Sequence, residues 1–268
     1  MTDATIRLGR LSTPEILRAQ RNVLAALILR DVKTRFGSAP GFLIAIAWPL
    51  THILVLLGIN VYFGRVHPYG ESAVLWFAVS LTPFQIVAYV SRFMLKGLLN
   101  NRQLLGFPAI NVIDILVSRV LIEIIVAACV VGSIVVILAS LDVDFMPLDI
   151  PMAFGAFSAA LMLGIGMGIL NSIIAMMFPI WSTIFTLSLI LLWLTSGAYF
   201  VPSTLNGTLQ IYLSYHPILH CIEWAREAWF SGYQSMLLDK AYVLTFGIFS
   251  TCGGLVLERL MRGRVLRG

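Results

Sequence analysis

Six apolar stretches dominate this chain, at about residues 42–62, 73–94, 117–140, 151–177, 180–200 and 241–257. Each approaches the roughly 20 residues that a helix needs to cross a hydrocarbon core, so each reads as a membrane span. The fourth and fifth are separated only by a tight turn near Phe178 and Pro179. Composition agrees: 59% of the residues are hydrophobic and only 12% are charged, where a soluble domain carries about 25% charge. The expected fold is an all-α integral membrane protein with six transmembrane helices.

An even number of spans puts both ends of the chain on one side, and positive charge says which side that is. Arg7, Arg10, Arg18, Arg21, Arg30, Lys33 and Arg35 precede the first span. Arg92, Lys96, Arg102 and Arg119 flank the connection between the second and third, and Arg259, Arg262, Arg264 and Arg267 close the sequence. Of 18 Lys and Arg, only Arg65, Arg226 and Lys240 remain for the opposite face, together with Glu71, Asp142, Asp144, Asp149, Glu223, Glu227 and Asp239. Both termini are therefore expected in the cytoplasm. Residues 1–41 form an N-terminal segment without the layout of a cleaved signal peptide, 42–257 the transmembrane domain, and 258–268 a basic cytoplasmic tail.

Residues 13–36, TPEILRAQRNVLAALILRDVKTRF, predict a helix before the first span. Thr13 can cap it, Pro14 suits its first position and Glu15 favours the positive end of its dipole. Ile16, Leu17, Val23, Leu24, Leu27 and Ile28 recur at helical spacing against Arg18, Arg21, Asn22 and Lys33. That pattern fits an amphipathic helix in the membrane interface, its basic side towards anionic headgroups; packing on a partner protein is the plainer alternative.

Motifs for chemistry are missing. The three lysines, Lys33, Lys96 and Lys240, lack the glycines of a phosphate-binding loop, and neither HExxH nor GxSxG occurs. His216 and His220 have a spacing that can hold a metal on a helix, but Pro217 lies between them and Glu223 is the nearest acidic candidate, so a polar loop lining is the better reading. Cys129, Cys221 and Cys252 are scattered and imply neither a disulfide framework nor a metal site. Arg119 and Glu123 share a helix face near the foot of the third span, where a structural ion pair is expected rather than a proton relay, because the other spans lack deep carboxylates.

Two further segments are irregular. In the fourth span Ala156, Ala160, Gly164 and Gly168 fall four apart, a small-residue stripe along which another helix can approach, within the bundle or between subunits. Residues 195–240 alternate short apolar runs with Gly197, Pro202, Asn206, Gly207 and Pro217, which fits external re-entrant half-helices between spans five and six. Tyr199, Phe200, Tyr212, Tyr215, Trp224 and Trp229 gather there. They are an aromatic belt at the membrane surface, or in part a gate and path for sugar rings.

A basic amphipathic N-terminal helix, six spans, a basic segment after the second span and a broken apolar segment before the last together resemble the type-2 permease subunit of ABC transporters, and in particular bacterial capsular polysaccharide exporters. ALILRDVKTRFGS (26–38), WPLTHILVLLGINVYFG (48–64) and YHPILHCIEWARE (215–227) carry the resemblance. It implies that LKGLLNNRQLLGFPAIN (95–111) contains a coupling helix docking on a cytoplasmic ATPase through Asn100, Asn101, Arg102, Gln103, Leu104 and Leu105. It also implies a transport subunit with no catalytic centre or cofactor of its own, paired with a second copy and two ATP-binding subunits that hold ATP and Mg. The cargo would be a lipid-linked polysaccharide, passed on to periplasmic and outer-membrane partners; no nucleic acid is expected. O-antigen, teichoic-acid and drug exporters of the same family remain open, as does an ATP-independent secondary transporter.

Overall fold

A computed structural model describes residues 13–37, 39–65 and 67–267. Arg7 and Arg10 lie outside the described residues, as do the side chains of Thr13, Glu15, Ile16, Arg35, Arg262, Arg264 and Arg267. The described chain is helical and contains no strand. Its helices are α1 (Thr13–Phe36), α2 (Ala39–Tyr62), α3 (Ala73–Asn100), α4 (Val112–Ser140), α5 (Ile150–Met177), α6 (Trp181–Thr195), α7 (Gly207–Leu213), α8 (Pro217–Trp229) and α9 (Lys240–Arg267). Short 3-10 turns occupy Arg102–Gly106 and Pro202–Thr204.

Five of these helices are long and apolar enough to cross a membrane: Gly41–Tyr62, Ala73–Asn100, Val112–Ser140, Ile150–Met177 and Lys240–Met261. The stretch expected as a fifth span, 180–200, contains only the 15 residues of α6. At about 1.5 Å per residue α6 reaches roughly 22 Å, short of the roughly 30 Å core. It stops because Gly197 takes a left-handed conformation (φ +81°), which a β-carbon would oppose. The second and third expected spans are longer than anticipated: α3 runs on to Asn100 and α4 starts at Val112, so most of the basic connection belongs to the ends of two helices.

Local signals set the helix starts. Ser72 Oγ accepts from the Leu75 amide (3.3 Å), Asp149 accepts from Met152 N (2.8 Å) with Pro151 in the first turn, and Asp114 Oδ2 accepts from Asn111 N (2.9 Å). Each satisfies a first-turn donor that a helix leaves open.

Helix α5 lies at the centre, between α3 and α9. The stripe foreseen in the sequence packs within the chain: a β-carbon on Gly164 would meet Val87 and Val90 of α3 at 3.1–3.2 Å, and one on Gly168 would meet Met94 at 2.4 Å. A second seam lies on α9, where Gly166 backs onto the Gly247 carbonyl and Gly254 onto Leu170. Small residues allow such backbone approach, from which packing in lipid draws its dispersion energy. Residues 164 and 168 face 87–94, and 162, 166 and 170 face 247–254, so α3, α5 and α9 run parallel. The chain between Met177 and Lys240 must therefore return to the end at which α5 began. Below, the end holding the α3–α4 connection is called basal and the end holding α7 and α8 distal.

Candidate functional site

The expected coupling residues straddle the basal tip of α3. Asn100 ends the helix and is exposed, while Arg102–Gly106 forms a five-residue 3-10 turn rather than a longer helix. The turn is closed by Leu104 N to Asn101 O (2.9 Å) and Phe107 N to Leu104 O (3.0 Å). Leu104 and Leu105 are half-buried against the main core, which anchors the turn, while Gln103 and Phe107 are exposed. Asn101 differs from its neighbours, being buried at 6% exposure. Its side chain accepts from Arg30 Nη1 (2.6 Å) and donates to Asp31 Oδ1 (3.2 Å) and Gly97 O (2.8 Å). It ties the turn to α1 and presents no free amide outward.

Helix α1 is more deeply engaged than its sequence pattern conveys. Leu27 and Asp31 are buried, Gln20 donates to Asp114 at the start of α4, and Leu17 and Leu29 stay exposed. The inward side thus mixes polar and apolar groups, because α1 meets helix ends that offer open hydrogen-bonding partners. Arg119 Nε lies 3.2 Å from Glu123 Oε1 and also donates to Phe93 O (3.2 Å), while its Nη1 lies 3.6 Å from Asp31 Oδ2. Gly97 makes room for this arginine, since a β-carbon there would meet its side chain at 2.9 Å. Asp31, 88 residues from Arg119 in sequence, had no local signal. A cavity of ≈ 260 Å³ opens beside the network, lined by Arg30, Asp31, Lys96, Asn100, Asn101 and Arg119 among others.

At the distal end α8 is wedged against α3 and α5 and nearly all of it is buried. Its Arg226 is 0% exposed. The guanidinium pairs with Glu223 Oε1 (2.9 Å), donates to Ser80 Oγ (2.9 Å), and collects the carbonyls of Gly197 (2.8 Å), Ala198 (3.4 Å) and Phe200 (3.1 Å). It lies 4.5 Å over the Trp76 ring, and Tyr233 donates to the same carboxylate (2.8 Å). The irregular backbone after α6 is thereby satisfied inside protein, the condition for non-helical chain at membrane depth. A planar fork with five donors suits this task.

The histidine pair is committed to backbone. His216 Nδ1 accepts from Leu219 N (3.2 Å) and His220 Nδ1 from Asp239 N (3.0 Å), so Nε2 carries the proton in each and donates to Leu192 O (3.1 Å) and Ser214 O (2.9 Å) respectively. Burial lowers both pKa values, that of His216 to about 4. Among the described residues no group of three or more His, Cys, Asp or Glu is placed to hold a metal.

The six distal aromatics do not form one cluster. Tyr212 and Tyr215 are about 70% exposed on and just after α7. Tyr199 stands edge-on to Trp193 (5.2 Å) beneath the Arg65 cation (5.5 Å), and Phe200 is half-buried. Trp224 lies against Gly155 and under Lys240 (5.2 Å), while Trp229 donates to Phe145 O (2.9 Å). The last two brace α8 on α5 and on the connection before it.

No family model matches the sequence. The chain is 27% identical over 241 residues to the polysialic acid transport protein KpsM of Escherichia coli, covering 90% of this chain and 93% of that protein. It is 28% identical over 265 residues to the capsule polysaccharide export inner-membrane protein CtrC of Neisseria meningitidis serogroup A, covering 96% and 97%. It is 27% identical over 219 residues to the protein of the same description, BexB, of Haemophilus influenzae, covering 80% and 81%. Over 80–96% of its length the chain is thus similar to inner-membrane proteins named for polysaccharide export.

Proposed function

We propose that this chain is the permease subunit of an exporter that moves lipid-linked capsular polysaccharide across the bacterial inner membrane. The observation that carries the reading is the similarity, over 80–96% of the chain, to inner-membrane proteins named for capsule export. The helical bundle supports it, with five helices long enough to cross a bilayer. The parallel course of α5 and α9 supports a sixth crossing by α6, completed by the capped turn that follows it. In this reading α7 and α8 are external half-helices, and both termini lie in the cytoplasm with the basal end.

The motor is a separate pair of cytoplasmic subunits carrying ATP and Mg, and the permease acts as a homodimer. Arg102, Gln103, Leu104 and Leu105 form the handle: a short turn anchored by two leucines and by Asn101, with Gln103 and Phe107 facing outward. The cargo leaves on the distal side for periplasmic and outer-membrane partners. Gentle extraction of a tagged chain from its native cell tests the reading. A stoichiometric ATP-binding subunit is the expected companion, and a clean homo-oligomer that exports without ATP would overturn it. Replacing Arg102–Leu105 by Gly and Ser is expected to release the ATPase and stop export while the permease still inserts.

A further inference from the structure

Behind the basal tip of α3, helices α1, α3 and α4 line the cavity of ≈ 260 Å³. It reaches from Asn100 back to Phe93, about 10 Å along the helix, which matches the depth of a headgroup layer measured inward from the membrane surface. A single water needs only about 10–15 Å³ of such space, so a phosphate with its glycerol fits.

The lining is cationic. Arg30 comes from α1, Lys96 from α3 and Arg119 from α4, with the carboxylate of Asp31 among them. Glu123, paired with Arg119 (3.2 Å), adds a second carboxylate. Three cations against two carboxylates leave one positive charge over, and a single phosphodiester closes the balance. Asn101 already holds Arg30 (2.6 Å) and Asp31 (3.2 Å) in place, so the walls are fixed before a ligand arrives. Lys96 is exposed and forms no ion pair with an acidic side chain among the described residues. Its ammonium, a compact charge on a flexible stem, is the group left to take an anion.

Charge alone would suit a soluble anion as well; the surroundings favour a lipid. On α1, Leu29 is 62% and Val32 38% exposed, and residues three apart share one side of a helix. They flank Arg30 and Asp31 in sequence. Phe93 of α3 is half-buried in the cavity wall. Bare apolar side chains next to a cationic cavity correspond to the two parts of a phospholipid, its acyl chains and its anionic headgroup.

We propose that this cavity holds the headgroup phosphate of one anionic phospholipid from the surrounding leaflet, with Lys96, Arg30 and Arg119 about the phosphate and the acyl chains against Leu29 and Val32. The lipid bears on the same three elements that the Asp31–Arg119 network joins, so the composition of the leaflet bears on how firmly α1 holds the tip of α3. The site requires neither the export reading nor a given orientation of the chain, since a headgroup layer bounds the membrane on both faces.

The test titrates the purified, delipidated full chain with phosphatidylglycerol, phosphatidylcholine or inorganic phosphate. Native mass spectrometry counts the bound molecules for wild type, K96R, K96Q, K96E and K33E. Lys33 is exposed on α1 and does not line the cavity, so K33E controls for general surface charge. Wild type is expected to bind one phosphatidylglycerol per chain about tenfold more tightly than phosphatidylcholine. K96Q and K96E are expected to lower that affinity about tenfold, the scale of one charge-assisted contact, with K96R and K33E within about twofold of wild type. Phosphatidylglycerol should also raise the unfolding midpoint of wild type more than that of K96E, since binding to the folded form raises it. Equal affinity for the two lipids, or a loss in K33E as large as in K96E, would overturn the site. Inorganic phosphate that displaces the lipid would name a soluble anion instead, and a glycan-bearing lipid recovered in its place from native membranes would name the cargo; either would overturn it too. Should the Lys96 variants fail to insert, wild type decides: one anionic phospholipid retained per chain after gentle extraction supports the site, and none refutes it.

Discussion

The molecule buries an arginine–glutamate pair near each end and uses the two differently. At the distal end Arg226 and Glu223 are fully enclosed, and every partner of the guanidinium is a fixed carbonyl, hydroxyl or carboxylate in protein. At the basal end Arg119 and Glu123 share their surroundings with Asp31 and, through it, with Asn101 and Arg30, beside a cavity of ≈ 260 Å³. The distal pair stitches one irregular loop to the core. The basal network joins three separate elements, α1, the tip of α3 and the foot of α4, and has space next to it in which to rearrange. A saturated buried pair holds a shape, while a shared one can pass a displacement between the elements that own its members.

The contrast can be broken most forcefully at Arg226. Arg226→Ala leaves a buried carboxylate and several carbonyls without partners, and is expected to destabilise the protein by about 3–5 kcal/mol; thermal unfolding in detergent reads this directly. A midpoint unchanged from wild type would show that the distal pair is dispensable. Next comes the glycine seam. Gly166→Ala drives a β-carbon to 2.5 Å from the Gly247 carbonyl, and overpacking of that kind costs about 1–3 kcal/mol. Gly132→Ala, which meets nothing within 4 Å, is the control and is expected to hold or raise stability.

Asp31→Asn sharpens the basal side. It keeps the shape and removes one charge from the network, so stability is expected to fall by about 1–2 kcal/mol, whereas ATPase association and export fall more steeply. An equal loss in all three would make the network purely structural. The smallest effect is expected at the histidines. Because both ring nitrogens of His216 and His220 bond to backbone, added zinc should leave the unfolding midpoint unmoved, since only binding to the folded form raises it; an upward shift that grows with zinc concentration would overturn this account.

Several of these features were legible in the sequence. Apolar runs located the long helices, spacing by four exposed the stripe on α5, and the i, i+4 relation brought Arg119 and Glu123 together, because each is a property of a single helix. What escaped depends on relations between helices. Arg92 counts by charge alone as part of the basic connection, yet α3 continues past it to Asn100 and keeps it on the helix, beside a cleft shared with His52 of α2 and Thr186 of α6. Asp31 and Asn101 lie 70 residues apart in sequence, and no periodicity joins them. Arg226 reads as an external cation, and only the packing of α8 between α3 and α5 turns it inward. Tyr199, Trp224 and Trp229 look alike as letters and take on three separate tasks.

The glycine seams along α5 carry a consequence for motion. Where backbones touch there is no layer of flexible side chains to absorb sliding, so α3, α5 and α9 can travel only as a single plank. Helix α2, by contrast, keeps only 11% of its span buried against 83% for α3. Any relative motion inside the bundle would then fall to the loosely held flanks, α2 and α6, and the plank would serve as the stationary rail.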